Sequence, residues 1–63
     1  MKNRIEELRK PKKISQKELA ELCGVTRQTI NAIENDKYDP TLQLAFDLAR
    51  VLGTTVDELF LNE

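Results

Sequence analysis

The chain has no histidine, no tryptophan and a single cysteine in 63 residues. Without histidine it lacks the commonest general base and the commonest metal ligand. One cysteine excludes an internal disulfide framework and, with no histidine beside it, leaves no recognisable zinc-ligand set. Glycine is also scarce, at two residues, and no glycine-rich loop is present to cradle a phosphate. Nothing forms a catalytic constellation, so the expectation is a protein that is not an enzyme and needs no metal, cofactor or small-molecule ligand. Long apolar runs are missing too, which excludes a membrane span. The N-terminal MKNRIEELRKPKK alternates charge with isolated apolar residues and lacks the apolar core of a signal peptide. A lone cysteine without an export signal points to the cytoplasm.

What is present is charge and short helical patterning. Charged residues make up 33% of the chain, and they nearly cancel to a net −1. The distribution is uneven: residues 1–17 hold a balance of +5, and residues 41–63 a balance of −3. A nucleic-acid partner would be met by the basic end. The length allows one domain, residues 1–63, with a single core.

The patterning predicts an all-α domain, a compact bundle of five short helices. Ile5 and Leu8 give a weak stripe from Asn3 to about Lys10, where Pro11 disfavours continuation. Ser15 and Glu18 form a capping box, followed by Leu19, Leu22 and Cys23 as an apolar side with Ala20 beside them. Gly24 then stands where a left-handed residue ends a helix. Thr26 caps the next helix, with Ile30 and Ile33 on its buried side. After the polar loop Asn35–Pro40, Thr41 caps a helix over Leu42–Leu52. Its stripe is Leu44, Ala45, Leu48, Ala49 and Leu52, and Gly53 stops it. Thr55 and Glu58 open a last short helix whose Val56, Leu59 and Phe60 face inward. No segment shows strand alternation.

The stretch 15–35, SQKELAELCGVTRQTINAIEN, is the most informative. Two short helices joined at Cys23-Gly24-Val25 are a form in which a second helix is held out to a DNA major groove. At about 100° per residue, Ile30 and Ile33 set the buried direction. Gln28, Asn31, Ala32 and Asn35 then face outward, with Arg27 and Thr29 at the flanks. Arginine matches the acceptors of guanine, and glutamine or asparagine the N6 and N7 of adenine. Ala32 is small enough to let the helix sit close to the groove. Thr26 and Thr29, with free N–H groups beside them, suit phosphate. Gln16 is placed to bond a phosphate or to brace Arg27 or Gln28. Glu34 reads as a structural helix-end residue. Lys37 and Tyr38 could hold the DNA backbone across the groove, and Tyr38 could equally pack on the helix end.

These motifs resemble the Xre type of helix-turn-helix domain, the phage repressor and Cro family. The SQ-x-ELA helix start, the GVTRQTI-x-x-IE helix, the KY-x-P loop and the terminal DELF occur in order, from about residue 3 to residue 61. The resemblance implies a five-helix, repressor-like fold. It implies phosphate contact at Gln16, base or backbone contact at Thr26, Arg27, Gln28, Thr29 and Asn31, and phosphate contact around Asn35, Lys37 and Tyr38. It also implies a transcriptional regulator, often a repressor, binding an inverted repeat of double-stranded DNA as a homodimer. Three positions depart from the pattern. Cys23 replaces a usual leucine and reads as a small buried hydrophobe or a redox switch. Asp36 replaces a frequent glycine, and Pro11 a helix former.

A different class remains open: a protein-interaction or antitoxin-type module of the same fold with weak or no DNA binding, which the acidic C-terminal half favours. Phe46, off the core stripe, and Leu61, after the last helical turn near Phe60, suggest a dimer interface at Phe46, Phe60 and Leu61, unless Phe46 and Leu61 fold back onto the first helix.

Overall fold

Four hydroxyl side chains set the helix starts. In the computed structural model, which describes residues 1–61, Ser15, Thr26, Thr41 and Thr55 each accept a hydrogen bond from the backbone N–H three residues on. Each cap satisfies one of the donors that a helix start leaves orphaned, an effect worth about 1 kcal/mol. The helices are α1 (Ile5–Arg9), α2 (Gln16–Cys23), α3 (Arg27–Glu34), α4 (Leu42–Leu52) and α5 (Val56–Leu59). α1 ends before Pro11, yet Lys10 keeps helical dihedrals (φ −60°, ψ −47°) and the chain continues as a 3-10 turn over Lys10–Lys12, closed by Lys13 in the left-handed region at φ 59°.

The five-helix expectation holds, with one small strand pair added to it. β1 (Lys2–Asn3) and β2 (Phe60–Leu61) pair antiparallel, Lys2 opposite Leu61 and Asn3 opposite Phe60. Two-residue strands are too short to show an alternating pattern, so period alone could not reveal them. The pairing joins the chain ends, with Arg4 N–H adding a bond to Leu59 O at 2.8 Å.

The core combines Ile5, Leu19, Ala20, Ile30, Ile33, Leu44, Ala45, Leu48, Ala49, Leu52, Leu59 and Phe60. Every residue of the expected α4 stripe is in it. Phe60 is buried, so it belongs to the core of one chain and is withdrawn from the expected dimer interface. Leu22, expected on the buried side of α2, is 56% exposed. No helix among the described residues is long and apolar enough to cross a membrane.

The link between α2 and α3 is tight because Gly24 takes φ 70°, ψ 30°. Its N–H and that of Val25 close back on the last turn of α2, Val25 N–H reaching Ala20 O at 3.0 Å. Val25 packs its side chain against the core as it does so. This closure fixes where α3 begins relative to α2. Gly53 ends α4 the same way, with Thr54 N–H bonded to Ala49 O at 2.9 Å.

Candidate nucleic-acid interface

α3 is eight residues long, hence about 12 Å, which matches the width of a B-DNA major groove. Ile30 and Ile33 are buried and anchor it to α2 and the core. Arg27, Gln28, Asn31 and Asn35 are exposed on its other side, and Ala32 is half-buried. The expected outward row is thus assembled on one helix.

At the start of α3, Thr29 N–H donates to Thr26 Oγ1 at 3.2 Å, and the two hydroxyls share a hydrogen bond of 2.9 Å. Thr26 is therefore the helix cap, and Thr29 is tied to it. The N–H groups of Arg27 and Gln28 find no acceptor among the described residues. Free N–H groups at a helix start are suited to an anion such as phosphate.

Gln16 is where the structure departs most from expectation. It braces neither Arg27 nor Gln28. Its Nε2 donates to Glu34 Oε1 at 3.3 Å, and its Oε1 accepts from Asn31 Nδ2 at 3.3 Å. Behind it, Arg9 grips Glu34 through two parallel bonds, Nε to Oε2 at 3.1 Å and Nη2 to Oε1 at 2.9 Å. Arg9 Nη1 also donates to Ile14 O at 3.0 Å. Both side chains of the ion pair are nearly buried. Glu34 is the structural residue expected at the helix end. Arg9 was missed, because nothing local to it signals a partner 25 residues away.

At the far end, Asn35 donates its amide to Asn31 O at 2.8 Å and so serves as the C-terminal cap of α3. Asp36 takes the left-handed φ of 62°, its carboxylate accepting from Asn3 Nδ2 at 3.1 Å. Asn3 also donates to Ile33 O at 2.8 Å, so the N-terminal strand holds the end of α3. Lys37 is exposed, and Tyr38 is half-exposed.

The basic end is weaker than its sequence count. Arg4 pairs with Glu7 at 2.7 Å, Arg9 with Glu34 and Lys10 with Glu6 at 3.6 Å. Lys12, Lys13 and Lys17 are exposed and make no ion pair with a described residue. Cys23, half-buried between α2 and α4, has its thiol pKa pushed up by burial and then by Asp47, with Arg50 opposing. A raised pKa suits a small packing residue better than a reactive thiolate. No cluster of potential metal ligands occurs among the described residues.

The same arrangement occurs in known proteins. A family model described as helix-turn-helix matches residues 5–59. The chain belongs to the Xre-type helix-turn-helix family. Over 63 residues it is 44% identical to an HTH-type transcriptional regulator of Methanocaldococcus jannaschii, covering 100% of this chain and 96% of that one. Over 62 residues it is 47% identical to an HTH-type transcriptional regulator of Methanothermobacter thermautotrophicus, covering 97% of this chain and 90% of the other. Among solved structures it resembles the DNA-binding domain of the P22 C2 repressor. The TM-score there is 0.80 at 30% identity, over 86% of this chain and 71% of that one. In this Xre-type domain α2 and α3 form the helix-turn-helix, on a repressor-like fold of five helices.

Proposed function

We propose that the protein is a sequence-specific regulator of transcription that binds double-stranded DNA, acting as a repressor. The outward row of α3 carries this reading: Arg27, Gln28 and Asn31 stand exposed on a helix whose opposite side is locked into the core. α3 enters the major groove with Arg27 and Gln28 toward base edges. Thr26, Thr29 and the N–H groups at the helix start lie along the phosphates, with Gln16, Asn35, Lys37 and Tyr38 at the margins. Repression follows from occupying DNA that polymerase needs.

The active form in this reading is a homodimer on an inverted repeat, with recognition helices about 34 Å apart. Leu42 is 69% exposed and Phe46 54% exposed, one helical turn apart on α4. A second copy covering these two apolar side chains removes them from water. Leu61, partly buried in β2 opposite Lys2, is the other candidate for that interface. In sedimentation experiments Phe46→Ser should shift the dimer toward monomer. An unchanged dimer would place the interface elsewhere.

The decisive test is selection of sites from a random duplex library. The expected product is an inverted repeat with half-sites about 10 bp apart, centre to centre. No enrichment, together with no salt-sensitive binding to random duplex at low or moderate salt, would instead favour a protein-interaction module.

A further inference from the structure

The side chains Arg9, Glu34, Gln16 and Asn31 form a continuous chain of hydrogen bonds from the interior to the exposed side of α3. The chain has a direction. A guanidinium only donates, so the Glu34 carboxylate facing it accepts. Glu34 Oε1 therefore takes the amide hydrogen of Gln16, which turns the Gln16 oxygen the other way. That oxygen can only accept, so Asn31 must turn its Nδ2 toward it. Reversing Gln16 would set oxygen against oxygen at Glu34 and hydrogen against hydrogen at Asn31, and reversing Asn31 would set its oxygen against that of Gln16. The buried cation thus dictates the orientation of an exposed amide two links away.

One Nδ2 hydrogen of Asn31 is used by Gln16, and Asn31 Oδ1 has no partner among the described residues. The second Nδ2 hydrogen and Oδ1 are left together as one donor and one acceptor. That pair complements adenine, whose N6 donates and whose N7 accepts in the major groove. An unbraced Asn31 could rotate about its side-chain torsions and offer its amide in several directions. We infer that Arg9, Glu34 and Gln16 are positioning residues that preset Asn31 to read an adenine in each half-site. The inference rests on the proposed DNA-reading role of α3 and adds the base and the device that selects it.

The test uses the full chain and the site it selects from a random duplex library. Gln16→Met keeps the length of the side chain and the Arg9–Glu34 pair but cannot pass the hydrogen bond on. Competition binding against duplexes altered one base pair at a time gives the preference at each position. Asn31→Ala should abolish the preference for adenine at one position by about tenfold or more. Gln16→Met should reduce the preference at that same position at least about fivefold, leave preferences elsewhere intact, and add nothing when combined with Asn31→Ala. Loss of a phosphate contact at Gln16 would lower affinity for all duplexes alike and leave these ratios unmoved.

NMR relaxation of the free protein supplies a readout without DNA. The Asn31 side-chain amide should be ordered in the parent and fall below an order parameter of about 0.6 in Gln16→Met. A mobile Asn31 amide in the parent overturns the relay whatever the DNA data show. So does a Gln16→Met variant that keeps the full preference at the Asn31 position. If the parent selects no site although its Asn31 amide is ordered, the DNA-reading role falls, and the adenine assignment falls with it.

Discussion

Removing Glu34 should be among the most damaging single changes in this chain. The Glu34 and Arg9 side chains are only 6% and 10% exposed. Glu34→Leu leaves the guanidinium buried with the Ile14 carbonyl as its one acceptor among the described residues. An uncompensated buried charge of this kind costs about 3–5 kcal/mol. A chain of this length has roughly 3–9 kcal/mol of total stability. The single variant should therefore lose a third of its stability at least, and at the upper limit all of it. With about 4–8 °C per kcal/mol for a small domain, the midpoint should fall by about 12 °C or more. The double variant Arg9→Met/Glu34→Leu replaces the pair with apolar side chains of similar reach, and such swaps are often neutral or stabilising. It should recover most of the loss. Urea unfolding followed by circular dichroism, on the parent, both single variants and the double, gives the coupling energy directly. A cost below about 1 kcal/mol for Glu34→Leu would match an exposed ion pair and refute the argument from burial.

Arg27→Ala and Gln28→Ala should each relax preference at particular base pairs by roughly 1–3 kcal/mol in competition binding, whereas Lys37→Ala should weaken binding to all duplexes and reduce the salt slope by about 1. Lys13→Gly should stabilise the fold by about 0.5–1 kcal/mol in urea melts, because Lys13 sits at φ 59° with no side-chain bond to a described residue. Asp36→Gly should gain less, since it surrenders the bond from Asn3; an equal gain would mean that this bond contributes nothing. Cys23 should alkylate more slowly in the folded chain than in urea at mildly alkaline pH, as its raised pKa keeps it protonated. A group whose folded pKa is raised stabilises the fold below its unfolded pKa and loses that contribution as pH climbs through the folded value. Cys23→Ala should accordingly flatten the alkaline end of a stability–pH profile, and an unaltered profile would remove Cys23 from that linkage.

The features legible in the sequence were those whose cause is local. A capping hydroxyl acts three residues along the chain, so Ser15, Thr26, Thr41 and Thr55 mark their helices unaided. Gly24 and Gly53 mark the stops because both take φ 70°. The α4 stripe is readable because its buried residues are all apolar. Pairing of β1 with β2 and of Arg9 with Glu34 depends on elements far apart in sequence, which no window of local pattern contains.

Gln16 and Leu22 show a subtler failure, and both have one cause. Size and hydropathy make Leu22 look like core and Gln16 look like surface. Helical period makes a different assignment: residues 16, 19, 20 and 23 follow the i, i+3, i+4, i+7 spacing of one side. Leu19 and Ala20 are buried, Gln16 and Cys23 are partly buried, and Leu22 lies off that side and is exposed. The same rule places Glu34 one turn beyond Ile30, on the inner side of α3. Two polar side chains on facing inner sides of adjacent helices must find partners or destabilise the fold. Period taken ahead of hydropathy therefore anticipates that Gln16 and Glu34 meet, and that a cation must be near. The resemblance to a family implied a phosphate contact at Gln16, whereas helical period brings its side chain to Glu34 as well. The polar side chain best placed to order α3 is the one that sits at the head of a buried stripe.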